Sequence, residues 1–219
     1  MQRRDFMKAM GVGMAALAAA GSVRAQGTKR PNILLYVTDD QGQNDAGCYG
    51  HPVVKTPGMD ALAAEGTRFT HGFACCASCS PSRSVILTGM FPHANGMYGL
   101  AHADHHFASF DNIQTLPVLL GDAGYRTLCA GKFHVNPETT YHFGDYLNAP
   151  SPVQLADRCK EFLTRDATEP FFLYFCTTEP HRNFKRDGSS PVAPDAMPVP
   201  ACLPDTPECR EELAEYAMS

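Results

Sequence analysis

Apolar positions along this chain come in two rhythms. NILLYVTDD (32–40), YRTLCAGK (125–132) and EPFFLYFCTTEPH (169–181) are short, nearly unbroken apolar runs. Runs of that length without alternation predict strands buried on both faces, as in a parallel sheet. Between them the spacing turns helical. In TPGMDALAAEG, Thr56 is placed to cap a helix, Pro57 to start it and Gly66 to end it. SRSVILTG predicts a short helix, TLPVLLGDAGY (115–125) another that stops at Gly124, and PVQLADRCKEFLTRD (152–166) an amphipathic one. A last helix begins at Pro207 in PECREELAEYAMS. TRFTHGFA (67–74) alternates and fits a strand, while SSPVAPDAMPVPACLPDTP reads as a long loop, a rim or lid over a site.

Strands alternating with helices predict an α/β domain with a mostly parallel sheet flanked by helices. The three long strands end in polar residues: Asp39 and Asp40, Lys132 and His134, and His181. Ligands of open α/β sheets lie beyond the carboxyl ends of the strands, so these side chains are expected at one edge. The chain shows no internal repeat and no low-complexity tract.

Composition adds little to a globular reading: 219 residues, 44% hydrophobic and 19% charged. The first 25 residues change the picture. Arg3 and Arg4 precede an apolar run from Met10 to Val23, and Val23-Arg24-Ala25 has the small-x-small form of a cleavage site. The run is shorter than the roughly 20 residues of a membrane span. Residues 1–25 are therefore expected to be a twin-arginine export signal, which implies the twin-arginine translocon as a partner. The protein is expected in the periplasm or secreted, with no stable membrane anchor. The signal holds four basic side chains and one acidic, so the net charge of −5 becomes −8 without it. That balance argues against nucleic acid as a partner, and an anionic substrate must be met by a local basic site.

Nine cysteines is an odd number. Export permits disulfides, and Cys202 with Cys209 is one candidate pair, but at least one thiol stays unpaired or modified. Cys76-x-x-Cys79 has redox spacing, yet Pro81 and Arg83 directly beyond it are foreign to that motif. A zinc site would need a second pair of ligands at the right spacing, and none is evident. A buried, inert thiol is the remaining plain reading. None of these accounts for the whole stretch.

The stretch as a whole, Cys79-Ser80-Pro81-Ser82-Arg83 followed by Leu87-Thr88-Gly89, resembles the signature of the formylglycine-dependent sulfatases. The resemblance implies an alkaline-phosphatase-like core and oxidation of Cys79 to formylglycine by a formylglycine-generating enzyme. A hydrated aldehyde carries two hydroxyls on one carbon. One attacks sulfur, and the other loses its proton as the adduct collapses and expels sulfate. Arg83 is implied to hold the nucleophile or the sulfate. Asp39 and Asp40 in VTDDQG match the family's first metal-binding pair, which with the modified Cys79 would hold Ca2+ or Mg2+. Lys132 and His134 in GKFH match residues that contact sulfate and formylglycine. His181 in EPHRNF matches the residue that contacts sulfate and protonates the leaving group.

NGMYGLAHADHHFASFDNIQTLPVLLGDAGYRT and GKFHVNPETTYHFGDY are similar to the heparan N-sulfatases, over most of residues 31–149 and again near LPDTPECREELAEY. This implies release of N-linked sulfate from glucosamine in a sulfated glycan of the heparan type. His102, His105 and His106 lie in this region as candidates to line the substrate pocket, with a structural role the plainer reading for some of them, and the sequence does not single one out. Other readings stay open: hydrolysis of another glycan O-sulfate, phosphonate or phosphodiester hydrolysis on the same scaffold, or a non-catalytic binder of sulfated glycans. The family's second metal pair, in an S-D-[HN]-G motif, its further basic residue and its smaller C-terminal domain have no counterpart among these residues. Residues 31–219 are thus expected to be the N-terminal part of a catalytic domain, incomplete at its C-terminus. Alone, that part is expected to be poorly stable and to give no turnover.

Overall fold

The computed structural model describes residues 30–166, 168–184 and 192–219. The expected export signal, 1–25, lies outside them. Residues 32–219 form the compact unit that carries the site. Its centre is a four-stranded, wholly parallel sheet: β1 (Ile33–Val37), β2 (Arg126–Gly131), β3 (Asp145–Leu147) and β4 (Phe171–Cys176), in the order β1-β4-β2-β3. Three strands fall inside the predicted runs. The short edge strand β3 carries too little apolar pattern to be anticipated.

Both faces of β2 and β4 are covered, which explains their unbroken apolar character. On one face Cys129, Phe172, Tyr174 and Cys176 pack with Leu87, Met97, Tyr141 and Phe143. On the other, Leu128, Ala130 and Leu173 meet Leu155, Cys159 and Phe162. Those last three lie four and three residues apart along one helix, Pro152–Thr164, and so share one face. Its N-cap Ser151 accepts a bond from the backbone of Gln154 at 3.3 Å. The helix does not extend over β1, whose Leu34 and Tyr36 stay 62% and 46% exposed.

In chain order the α-helices are α1 (Pro57–Glu65), α2 (Cys79–Thr88), α3 (Pro92–Asn95), α4 (Leu116–Asp122), α5 (Pro152–Thr164) and α6 (Pro207–Tyr216). α2 ends at Gly89, which turns with φ +67 while its N–H bonds to the Val85 carbonyl at 2.8 Å. Buried Asn95 ties α2 to α3, donating to Ser84 Oγ at 3.0 Å and Thr88 Oγ1 at 3.2 Å.

Three expectations are corrected. Residues 67–74 join no ladder: side chains claim their carbonyls, with Gln43 on Thr70 at 3.0 Å and Tyr49 on Phe69 at 2.8 Å. Phe69 and Phe73 are 72% and 87% exposed, so the alternation there has no buried face behind it. Cys202 and Cys209 are both free thiols. The described part of the proline-rich stretch does not line the cleft; Met197 is buried and its carbonyl accepts from Arg210 on α6 at 3.1 Å.

Candidate active site

Register sets the site. Val37 of β1 and Gly131 of β2 both lie opposite Cys176 of β4, so three strands end level. The chain beyond each end supplies one set of groups: Asp39 and Asp40, Lys132 and His134, and Thr177 to His181. The β2 exit requires glycine. Gly131 has φ +86, and a Cβ there would lie 2.0 Å from the Cys176 carbonyl oxygen. That close approach lets the Lys132 N–H bond to the same oxygen at 3.0 Å.

Asp39 is the electrostatic hub. It is 3% exposed, accepts from Arg83 at 3.3 Å through Oδ1, and is paired through Oδ2 with the Lys132 ammonium. Burial opposes its ionisation, but Lys132 and Arg83 outweigh burial and hold its carboxyl below the usual range. Arg83 is itself 2% exposed and bonds to the Lys132 carbonyl at 3.0 Å and Tyr174 Oη at 3.4 Å. It does not line the cleft. In this arrangement Arg83 braces Asp39 and the turn at Lys132 from beneath.

Cys79 opens α2, with Sγ 3.6 Å from the Lys132 ammonium. Its thiol is raised, first by burial and then by Asp39 and Asp40, against the opposing pull of Lys132. A cysteine held protonated is a poor nucleophile, so this is not a thiolate site. Cys76 is a free thiol outside the cluster, which leaves the redox reading without support.

Among the described residues one group could hold a metal ion: ligand atoms of Asp39, Cys79 and His181 lie within 4.8 Å of one another. Asp40 sits beside them in a left-handed turn, φ +61, with its carboxylate 3.6 Å from His181 Nε2. An ionised buried carboxylate and an adjacent exposed one suit a hard divalent cation. The soft Cys79 sulfur does not, whereas an oxygen-bearing oxidised side chain would. The residues thus fit Ca2+ or Mg2+ at Asp39 and Asp40.

His134 occupies a left-handed backbone conformation, φ +54, at the end of the β2 exit. Burial, then the charges of Lys132, His102 and Arg83, push its pKa down to about 4. Its ring packs on His102, with centroids 4.5 Å apart. His102 is the site neighbour that the sequence did not single out, since nothing in HADHH separates it from His105 and His106. Asp39, Lys132, His134 and His181 line a cleft of about 660 Å3 together with the segment 148–152 after β3, Thr177 to Glu179, Arg182 and Asn183; Cys79, Asp40 and His102 are not among its lining residues. That volume suits a small ligand such as one or two sugar units.

Comparison with known proteins decides the family. The sulfatase family model matches residues 31–202. The chain belongs to the sulfatase family. It is similar to human N-sulphoglucosamine sulphohydrolase, 37% identical over 84% of this chain and 43% of that protein. It is 34% identical to an N-acetylglucosamine-6-O-sulfatase of Bacteroides thetaiotaomicron, over 77% of this chain and 34% of the relative. A structure solved with its substrate D-glucosamine-2-N,6-O-disulfate superposes with a TM-score of 0.65 at 30% identity, over 79% of this chain and 40% of that one. The fold is thus the alkaline-phosphatase-like one that the sequence led us to expect. The chain spans less than half the length of these sulfatases.

Proposed function

We propose that this chain carries the nucleophile half of a sulfatase that acts on sulfated glycans, with the N-linked sulfate of glucosamine as the leading substrate. The observation that carries the reading is the meeting of Asp39, Cys79, Lys132 and His181 at one sheet edge. Similarity to an N-sulfoglucosamine and a 6-O-sulfate hydrolase supports the glycan class. The 6-O-sulfate ester is the second reading, because the superposed structure holds a sugar with both groups.

Asp39 and Asp40 would hold the Ca2+ or Mg2+. Formylglycine made from Cys79 by its generating enzyme would supply a hydrated aldehyde as nucleophile, and the cation would supply charge for the sulfate oxygens. Lys132 adds a second positive charge beside the reacting group. Arg83 fixes Asp39 and the Lys132 turn from beneath the site. His181, half-exposed at the cleft wall, would give its proton to the leaving nitrogen or oxygen, and an amine leaving group depends on that proton most. Passage through the twin-arginine translocon to the periplasm or exterior completes the proposal.

The test uses the native protein from its host. The mass of the peptide bearing Cys79 is expected to read formylglycine or its hydrate. The protein is then assayed on N-sulfoglucosamine, glucosamine 6-O-sulfate, an aryl sulfate and an aryl phosphate. Turnover of N-sulfoglucosamine above the others is expected. An unmodified thiol and no sulfate release from any substrate would overturn the reading.

A further inference from the structure

The pair His102–His134 has no role in the scheme above. His102 Nδ1 is hydrogen-bonded to His134 Nε2, and the two rings lie 26° apart in plane. The other nitrogen of His134, Nδ1, is buried and has no hydrogen-bond partner among the described groups. Two neutral imidazoles joined at one N···N contact share one proton there. If His102 supplied it, the proton of His134 would sit on Nδ1 as a buried donor with nothing to bond. Orphaned buried N–H groups are rarer in folded proteins than under-satisfied acceptors. The other arrangement puts the proton on His134 Nε2, which donates to a bare His102 Nδ1.

The loop that carries His102 is fastened on both sides of the site. The Ala101 N–H bonds to buried Ser80 Oγ at 3.0 Å, one residue beyond Cys79. The Ala101 carbonyl accepts from Asn136 Nδ2 at 3.1 Å, and the Ser109 N–H bonds to the Asn136 carbonyl at 2.8 Å, two residues beyond His134. The loop closes on itself through Phe107 N–H to the Leu100 carbonyl at 3.1 Å. A Cβ at Gly99 would lie 2.5 Å from the Phe107 ring, so any larger residue would have to displace that ring. An exposed side chain held between the nucleophile helix and the β2 exit is positioned, not incidental.

We infer that His102 is a positioning residue that fixes His134 in its Nε2–H tautomer, leaving Nδ1 as a buried, bare acceptor. The tautomer does not depend on the sulfatase reading. Burial first, then the charges of Lys132, His102 and Arg83, hold His134 toward its neutral form.

The test is long-range 1H–15N correlation on the 15N-histidine-labelled full chain at pH 7, without substrate or metal, so its result is independent of sulfate release. The wild type should show His134 protonated on Nε2 over Nδ1 by at least about tenfold. His102→Ala should bring the two tautomers within about threefold of each other, and His102→Asn, whose amide oxygen can accept from Nε2–H, should restore the ratio. Unchanged signals from the other histidines establish that each variant is folded. A wild-type His134 protonated on Nδ1, or a ratio unmoved in His102→Ala, overturns the inference. Since the wild-type spectrum can do so alone, a variant that does not fold leaves the test intact.

Discussion

Lowering the pH from 7 to 5 protonates a histidine in the unfolded chain that the folded site keeps neutral. His134 titrates near 6.5 when unfolded and near 4 in the site, with burial as the first cause and the charges of Lys132, His102 and Arg83 behind it. Between those values the unfolded chain binds a proton that the folded one does not, so stability falls as pH falls. Linkage over the full shift gives about 1.8 kcal/mol lost between pH 7 and 5. Because the ring is only half-buried, solvent screening reduces this to about 1 kcal/mol. Asp39 does not confound the window. Its folded pKa is depressed below 3.8, so its stabilisation is present above that value and is lost only at lower pH. The assay is urea unfolding of the wild type and His134→Gln at pH 7, 6 and 5, read as midpoint times slope. The wild type should lose about 1 kcal/mol more than the variant over the range. Equal losses in the two proteins would mean that His134 is not held neutral, and would refute the argument.

Two further outcomes are expected. Gly131→Ala should destabilise by at least about 3 kcal/mol, since its Cβ would strike the Cys176 carbonyl at 2.0 Å and its φ of +86 is strained for alanine; soluble yield and urea unfolding check it. Arg83→Met should cost about 3–5 kcal/mol by stripping one of two cations from buried Asp39, and adding Asp39→Asn should recover part of that loss; a double-mutant cycle that shows strict additivity would contradict the coupling.

The sheet was legible because β2 and β4 are buried on both faces and β1 is an apolar run, though its Leu34 and Tyr36 face is left uncovered, and α5 because Leu155, Cys159 and Phe162 repeat at helical spacing. The site was legible because parallel strands deliver their polar ends to one edge, and because Cys79 to Gly89 form one contiguous signature. What pattern could not give is partnership. Alternation in TRFTHGFA looks the same whether or not a neighbouring strand exists, and here side chains of the loop after β1 take its carbonyls. The depth of Arg83 was not legible either: the signature names it, but not that it lies 2% exposed and paired with Asp39. His102 was indistinguishable from His105 and His106 until the loop was seen fastened at Ala101.

The charges explain why an acid pair belongs in an anion site. Without its first 25 residues the chain is at −8. The cleft-lining cations are already engaged: Lys132 on Asp39, and Arg182 on Glu212. Arg83 lies beneath, also on Asp39. On the proposed function, a sulfate entering this cleft would find Asp39 already claimed by both cations, and a like charge at 4 Å opposes another by about 4 kcal/mol at an effective dielectric of 20 where it is not so neutralised. Lys132 cannot both neutralise Asp39 and serve a sulfate. On the proposed function, a cation held by Asp39 and Asp40 would remove that repulsion and free the ammonium, 3.6 Å from Cys79 Sγ, for the reacting group. The proposed function thus makes anion binding and cation binding at this edge one coupled equilibrium, set by a single buried carboxylate that two cations claim.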